Sequence, residues 1–411
     1  MSARPRSSFP RADPLAVATA ATIGIALFAI SWALLHAGPF DDVAIVDTPV
    51  YQGYGDRIVG GEVPYRDFEL EYPPGALPVF ALPSFGAERS YDALFGLLML
   101  TCGAGAVALV AVALGMVGVQ SGSIFAAAAF AGLSPLLLGP VLLTRYDLWP
   151  ALLVSAALAA LAADRGRLGL GLLGAAVAAK LYAVVLLPLA LVYVLRRRDA
   201  RAASVSLGVF CAVLLAVFGP FAVLAPEGLL ESFTRQIGRP LQLETLGAGA
   251  LLAAHRLGLY DATVVSSHGS QNLAGSLPDT LATVQTGVQA LAIVAVWLVF
   301  AAGRADPLRL FAAAAAAVAA FVAFGKVLSP QFLVWLLPLV PLVAGRRALA
   351  PGVLLGGSLV LTQLWFPSRY WDVVALEPVS WLVVCRGILL VALFGVLLWA
   401  TAREREAPGT P

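Results

Sequence analysis

Ten apolar runs divide this sequence, and each is close to the length that crosses a lipid bilayer as a helix. An α-helix rises ~1.5 Å per residue, so a ~30 Å hydrocarbon core takes about 20 residues. The runs lie at about residues 15–37, 91–117, 123–143, 147–163, 202–225, 279–303, 308–325, 330–345, 348–366 and 379–402. The sequence therefore predicts an all-α polytopic membrane protein.

The composition agrees with this class. Of the 411 residues, 60% are apolar and 12% are charged, whereas an ordinary globular domain is roughly half apolar and a quarter charged. This excess excludes a soluble enzyme and a secreted disulfide scaffold. The net charge of +2 is too small to indicate nucleic acid as a partner. Arginine outnumbers lysine 24 to 2, which with the abundant alanine indicates a GC-rich bacterial genome.

The arginines between the runs predict the orientation in the membrane, because positive loops stay in the cytoplasm. All the arginine-bearing loops lie on the cytoplasmic side only if residues 168–195 enter and leave the membrane on the same face. That stretch is predicted to be a hairpin of two short helices with Lys180 near its outward tip, giving about twelve helical segments. The arginines used are Arg4, Arg6, Arg11, Arg165, Arg167, Arg196, Arg197, Arg198, Arg201, Arg304, Arg309, Arg346, Arg347, Arg403 and Arg405.

The predicted organisation is a cytoplasmic N-terminus at 1–14, one transmembrane domain at 15–402 and a cytoplasmic tail at 403–411. Two long polar segments, 38–90 and 226–278, then face outward, and the first holds nine acidic residues. The predicted cytoplasmic loops are too short for a nucleotide-binding domain. Any chemistry is therefore expected on the outer face of the plasma membrane.

The first outer segment carries a candidate carboxylate. Asp47, Tyr51 and Tyr54 follow one another at i, i+4 and i+7, which predicts a short interfacial helix with these side chains on one face. The alternative is that Asp47 only caps that helix. The Pro-Pro pair at 73–74 predicts extended backbone, and the apolar stretch 76–85 is too short for a span and is expected in the interface.

Charged residues in apolar runs are costly, so they are functional candidates. Arg386 lies within a run, ~10 Å from its outer end, close enough for its guanidinium to reach the interface. Ion-coupled transporters usually need an ionisable site near the midplane, and the lack of one here disfavours that function. The other charges lie at outward ends of runs: Lys180, Lys326, Arg145, Asp147 and Asp92.

In the second outer segment, Arg239, Gln242 and Glu244 are candidates for lining a sugar or phosphate site, and the alternative is a solvated loop. The histidines His36, His255 and His268 are scattered and show no metal-ligand spacing. The cysteines Cys102, Cys211 and Cys385 lie in apolar runs and are interpreted as core side chains.

Several of these motifs, taken in order, resemble the GT-C superfamily of integral-membrane glycosyltransferases, and within it family 87, the polyprenol-phosphate-mannose-dependent mannosyltransferases. The family's aspartate and tyrosine after the first span match Asp47 and Tyr51. Its Gly-x-x-Tyr motif is matched, with one extra residue, by residues 61–65, and its Tyr-Pro-Pro motif by residues 72–74. The further matches are Arg145, Asp147, Lys180, Arg239, Gln242, Glu244, Ser329, Pro330, Gln331 and Trp335. The acidic run before Tyr72 and a threonine at 245 depart from the family pattern.

This resemblance implies a GT-C-like bundle that moves a sugar, mannose, from a polyprenyl-phosphate-sugar donor to a lipid or glycan acceptor, with inversion and without a cofactor. It implies Asp47 as the catalytic general base, with cations holding the departing phosphate. The expected phosphate contacts are Arg239, Lys180 and Lys326, with Arg145 and Arg386 behind them. Glu71, Gln242, Glu244 and Gln331 are the expected sugar or acceptor contacts, and Tyr51, Tyr72 and Asp147 complete the expected substrate site.

Alternatives stay open at this point. Arg145 and Asp147 are equally consistent with a local ion pair that orients the site. A metal is not required, although Asp41 and Asp42 leave a divalent ion as an alternative. The other candidate functions are a transporter or flippase of a lipid-linked sugar, arabinofuranosyl or glucosyl transfer on the same scaffold, and a non-catalytic partner in an envelope complex.

Overall fold

The structure is a computed structural model that describes residues 12–37, 45–345 and 348–403. The described residues form helices α1 Pro14–Leu34, α2 Thr48–Val59, α3 Leu77–Ser84, α4 Tyr91–Met116, α5 Ser121–Leu138, α6 Leu148–Ala162, α7 Gly166–Ala179, α8 Leu187–Arg197, α9 Ala200–Leu224, α10 Pro226–Ile237, α11 Leu246–Arg256, α12 Ser276–Ala302, α13 Pro307–Phe324, α14 Leu349–Gln363, α15 Tyr370–Val374 and α16 Ser380–Ala402. Strands β1 Thr263–Ser267 and β2 Ser270–Ala274 pair antiparallel. Asp41, Asp42, Arg4, Arg6, Arg11, Arg346, Arg347 and Arg405 lie outside the described residues.

The all-helical, polytopic class is confirmed. Within the described ranges, seven helices are long and apolar enough to cross a membrane, and further apolar helices are shorter. The long ones are α1, α4, α5, α9, α12, α13 and α16. α13 lies at the centre of the bundle, where alanines 313–317 are fully buried and their small side chains allow neighbouring helices to approach closely.

The prediction of a spanning helix at 330–345 is wrong. The chain there forms two 3-10 turns, Pro330–Leu336 and Val340–Leu342, instead of one α-helix. Prolines at 338 and 341, inside the segment, remove backbone donors and disfavour a continuous α-helix. The segment is buried, with Leu333 and Leu336 fully inside, and irregular backbone at membrane depth is tolerated where protein covers it.

The segment expected to form the hairpin consists of α7 and α8. α7 ends at Ala179, and Lys180 has extended backbone with φ −159° and ψ 123°. A 3-10 turn at Leu181–Leu186 then leads into α8. Lys180 therefore lies at the break between two short helices.

The Tyr-Pro-Pro-Gly segment packs against this break. Pro73 is extended with ψ 155°, as its sequence predicts, and a 3-10 turn follows at Pro74–Ala76. The Trp149 indole N–H donates to the Gly75 carbonyl at 3.1 Å. A Cβ at Gly75 would lie 2.6 Å from the carbonyl oxygen of Ala178. The close approach therefore requires a glycine at position 75.

We expect Gly75→Ala to destabilise the fold by ~1–3 kcal/mol, the usual cost of forcing an extra methyl group into a packed site. Gly53→Ala is the matched control, because a Cβ there meets nothing within 4 Å and alanine favours the α2 helix by roughly 1 kcal/mol. Thermal unfolding of both variants in detergent measures the difference. Equal melting temperatures for the two variants would contradict the described packing.

Candidate functional site

Asp47 directly precedes α2 and carries a carboxylate turned away from the helix end. It occupies the N-cap position but makes no side-chain capping hydrogen bond. Its Oδ2 accepts a hydrogen bond from the Tyr51 hydroxyl at 3.3 Å, and its Oδ1 lies 3.0 Å from Nη1 of Arg145. The side chain keeps 28% of its surface exposed. The interpretation of Asp47 as a helix cap is therefore wrong, and the carboxylate is accessible to a ligand.

Arg145 is the cation that faces Asp47. Its side chain is only 4% exposed, and its backbone is extended after the 3-10 turn at Pro140–Thr144. Its Nε also approaches Oε1 of Gln331 at 3.4 Å. The guanidinium therefore joins α2 to the segment 330–336.

Asp147 pairs with Lys180 and not with Arg145, so the interpretation of a local Arg145–Asp147 pair is wrong. Nζ of Lys180 lies 2.5 Å from Oδ1 of Asp147, and the Trp335 indole donates to the same oxygen at 2.6 Å. Asp147 is fully buried, and its Oδ2 has no hydrogen-bond partner. One carboxylate thus connects α6, the α7–α8 break and the segment 330–336.

Aromatic rings enclose both ion pairs. Lys180 Nζ lies 4.5 Å from the Tyr146 ring centroid and 5.3 Å from that of Trp335, within the range of cation–π attraction. The Tyr51 ring packs edge-on against Tyr72 and Tyr146 at 5.6 and 5.7 Å. Tyr146, between Arg145 and Asp147 in sequence, and Trp335, the last residue of the Ser-Pro-Gln-x-x-x-Trp motif, were both missed as site residues.

A second polar cluster lies in the loop before α11. Gln242 Nε2 donates to Oε2 of Glu244 at 2.8 Å and to the Ser329 hydroxyl at 3.2 Å. Gln242 and Glu244 are each 3% exposed. The interpretation of these two residues as part of a solvated loop is therefore wrong.

Arg386 reaches a residue of the second outer segment but stays inside the protein. It is fully buried in α16 and donates to the main-chain carbonyl of Glu244. Its guanidinium carbon lies 5.5 Å from the Trp365 ring centroid, and its Nε and Nη1 have no partner. Hydropathy cannot distinguish an arginine that faces lipid from one that faces the bundle interior.

The other residues expected in the substrate site, all within the described part of the chain, make no hydrogen bond or ion pair with the Asp47–Arg145 and Asp147–Lys180 pairs. Arg239 donates to the Ser270 hydroxyl at 3.0 Å, which ties it to the β1–β2 hairpin. Glu71 is exposed and follows the acidic run. Lys326 Nζ donates to the main-chain carbonyl of Ile237 at 2.8 Å, at the end of α10.

Burial changes the acidity of the loop residues. It raises the pKa of the Asp47 carboxyl above its ordinary 3.8, and Arg145 partly opposes that rise. Burial also raises the pKa of Glu244 to about 7, although Arg386 and Arg239 are nearby. A buried carboxylate with a raised pKa is a better proton acceptor than an exposed aspartate. The arrangement therefore provides a base at Asp47 beside a fixed cation.

Among the residues that the structure describes, no group of three or more His, Cys, Asp or Glu side chains is arranged to hold a metal ion. Asp41 and Asp42, the candidates for a divalent ion, lie outside those residues. The cations near Asp47 and Asp147 are side chains, Arg145 and Lys180.

The model of glycosyltransferase family 87 matches residues 70–330, which is more than half of the chain. Among solved structures, the crystal structure of ArnT from Cupriavidus metallidurans bound to undecaprenyl phosphate is similar, with a TM-score of 0.48 and 15% sequence identity. That match covers 93% of this chain and 76% of that chain. No curated protein matches this sequence significantly.

We expect Lys180→Met to destabilise the protein by about 3–5 kcal/mol, because it leaves the Asp147 charge buried without its partner. The double variant Lys180→Met, Asp147→Asn should lose less, since no unpaired charge remains. Arg369→Met breaks the exposed pair with Asp372 and is the control, with an expected loss of about 0–1 kcal/mol. Thermal unfolding in detergent tests this ranking, and an equal loss for Lys180→Met and Arg369→Met would refute it.

Proposed function

Because this chain belongs to glycosyltransferase family 87, we propose that it transfers mannose from a polyprenyl-phosphate-mannose donor to a lipid or glycan acceptor. We place the reaction on the outer face of a bacterial plasma membrane, with both termini in the cytoplasm. The observation that carries the proposal is the partly exposed Asp47 carboxylate beside the buried Arg145 guanidinium, 3.0 Å apart. A base and a fixed cation are the two groups that this chemistry needs.

A lipid-borne donor fits the position of the site. Nucleotide sugars are not available outside the cell, whereas a polyprenyl-phosphate sugar diffuses in the membrane to a groove between helices. Its phosphate would meet Lys180 and Arg145 at the ends of α7 and of the 140–144 turn. Arginine holds a phosphate through two parallel hydrogen bonds, whereas lysine acts as a point charge. Arg239 is the third candidate for this contact.

The proposed reaction is a single displacement. Asp47 takes the proton from an acceptor hydroxyl, and the hydroxyl oxygen forms a bond to the anomeric carbon of the donor. The bond from that carbon to the phosphate oxygen breaks, and the electron pair leaves with the polyprenyl phosphate. Arg145 and Lys180 neutralise the charge that develops on the phosphate, and the anomeric configuration inverts.

Asp147 has a positioning role in this proposal. It holds the Lys180 ammonium and the Trp335 indole on one oxygen, so the cation stays at the break between α7 and α8. Gln331 orients Arg145 in the same way, through its amide oxygen. Gln242 bonds to Glu244 and to Ser329, and these bonds fix the loop before α11 against the start of the 3-10 turn at Pro330–Leu336.

We expect Asp47→Asn to lower the rate of sugar transfer by about 10²–10⁴-fold, the usual contribution of a general base, with donor affinity little changed. Asp56→Asn, on the exposed part of the same helix, is the matched control and should retain the wild-type rate. The assay uses purified protein, radiolabelled polyprenyl-phosphate-mannose and membrane acceptors. Full transfer by Asp47→Asn would refute the base, and lipid translocation without any transfer would favour a flippase.

The pH dependence follows from the raised pKa of Asp47. The base must be ionised, so kcat/KM should fall as the pH drops through that pKa, with a midpoint above 3.8. Arg145→Gln removes the cation that lowers this pKa, so the midpoint should move to higher pH. Arg57→Gln, an exposed arginine on α2, should leave it in place. A midpoint that does not move in Arg145→Gln would contradict the assignment.

A further inference from the structure

A cleft opens between the two outer segments. It has a volume of about 520 Å³, within the ~300–1,000 Å³ range of small-molecule sites. Residues 65–71 form one wall, α10 forms the opposite wall, and Ser267 and His268 of the β1–β2 hairpin close a third side. Its lining is distinct from Asp47, Arg145 and Lys180.

The walls are held in place by specific contacts. Arg235 on α10 pairs with Glu69 across the cleft at 2.5 Å and with Glu231 on its own helix at 2.7 Å. Gly228 lies against the main chain of Tyr65 so closely that a Cβ there would clash with the Tyr65 carbonyl. The cleft is therefore a fixed feature of the fold and not a gap between independent loops.

A short chain of contacts connects the lining of the cleft to Asp47. Glu71 lines it and is followed in sequence by Tyr72, whose ring contacts Tyr51 at 5.6 Å. The Tyr51 hydroxyl donates to Asp47. Arg239 also lines the cleft, and its Nε is buried without a partner. The Tyr72 and Tyr51 rings thus link the wall of this cleft to the proposed base.

The charge of the lining selects the class of molecule. Three arginines and four carboxylates line the cleft, and Arg66 and Arg235 are already paired with carboxylates. A phosphate would therefore meet more repulsion than attraction, because two of the three arginines are neutralised and Arg239 alone faces the four carboxylates. Carboxylates, guanidinium groups and the Gln236 amide are instead good partners for hydroxyl groups, which both donate and accept.

We propose that this cleft binds the acceptor of the transfer reaction, and that the bound part is an uncharged, polyhydroxylated glycan group. The inference rests on the proposed function, because it assumes a hydroxyl that is presented to Asp47. A free glycan and the sugar headgroup of a lipid share this chemistry. The acceptor enters from the aqueous side, whereas the donor enters from the membrane.

The first test fills the cleft from α10. Ser232 lines the cleft and Thr234 does not, and each hydroxyl donates to a nearby carbonyl of its own helix. Ser232→Trp and Thr234→Trp therefore lose similar local bonds and differ in the direction of the added ring. With polyprenyl-phosphate-mannose as donor and octyl α-mannoside as acceptor, Ser232→Trp should raise the acceptor KM at least tenfold and leave the donor KM within twofold. Thr234→Trp should change neither, and equal acceptor KM values for the two variants would overturn the proposal.

The second test does not depend on turnover. A Gln236→Cys variant is labelled with a membrane-impermeant maleimide, and the protein without this substitution provides the background from Cys102, Cys211 and Cys385. Octyl α-mannoside or mannobiose should slow the labelling at least fivefold, and octyl mannoside 6-phosphate should not. Protection by mannobiose identifies a free glycan as sufficient, and protection by octyl mannoside alone identifies a lipid headgroup.

The outcomes separate the two proposals. Protection by neither neutral probe, or equal protection by the phosphorylated one, overturns the cleft assignment even if the enzyme transfers mannose. If the wild-type protein transfers sugar from no polyprenyl-phosphate donor, the proposed function fails, and protection by the neutral probes still supports a glycan site in the cleft.

Discussion

The buried ion pair between Asp147 and Lys180 is the interaction on which the rest of the site depends. It joins the start of α6 to the break between α7 and α8, and the Trp335 indole brings in the segment 330–336 at the same oxygen. In a low-dielectric interior, an unpaired charge of either sign costs several kcal/mol. The three segments are therefore stable only when they meet in this arrangement, and this meeting holds Arg145 next to Asp47.

The alternation of side chains in the Arg-Tyr-Asp triplet explains how two ion pairs fit side by side. Arg145 has extended backbone, so its side chain points away from that of Tyr146. Arg145 reaches Asp47 on α2, whereas Asp147 reaches Lys180. The Tyr146 ring contacts both Tyr51 and the Lys180 ammonium. Three consecutive residues thus contact the proposed base, the aromatic enclosure and the proposed phosphate-binding cation.

The sequence predicted the features that depend on local spacing. The i, i+4 pair of Asp47 and Tyr51 correctly placed both on one face of a short helix, and the single lysine between two short apolar arms marked the break at Lys180. Predictions from the sequence were wrong or missing where contacts between distant parts of the chain determine the structure. Hydropathy did not reveal that 330–345 winds as 3-10 turns or that Arg386 faces the interior. The cleft depends on contacts such as Glu69–Arg235 between residues far apart in the chain, for which one sequence carries no signal.

The tight winding of the segment 330–336 determines the surroundings of Lys180. With three residues per turn, side chains three positions apart lie directly above one another, whereas a regular α-helix would rotate them by ~60°. Phe332 and Trp335 are such a pair and stack at 4.2 Å with 21° between their planes. The two rings form a continuous aromatic shelf beneath the ammonium. A straight α-helix would split that shelf, so the 3-10 winding gives the Lys180 ammonium a continuous polarisable support beside its ion pair with Asp147.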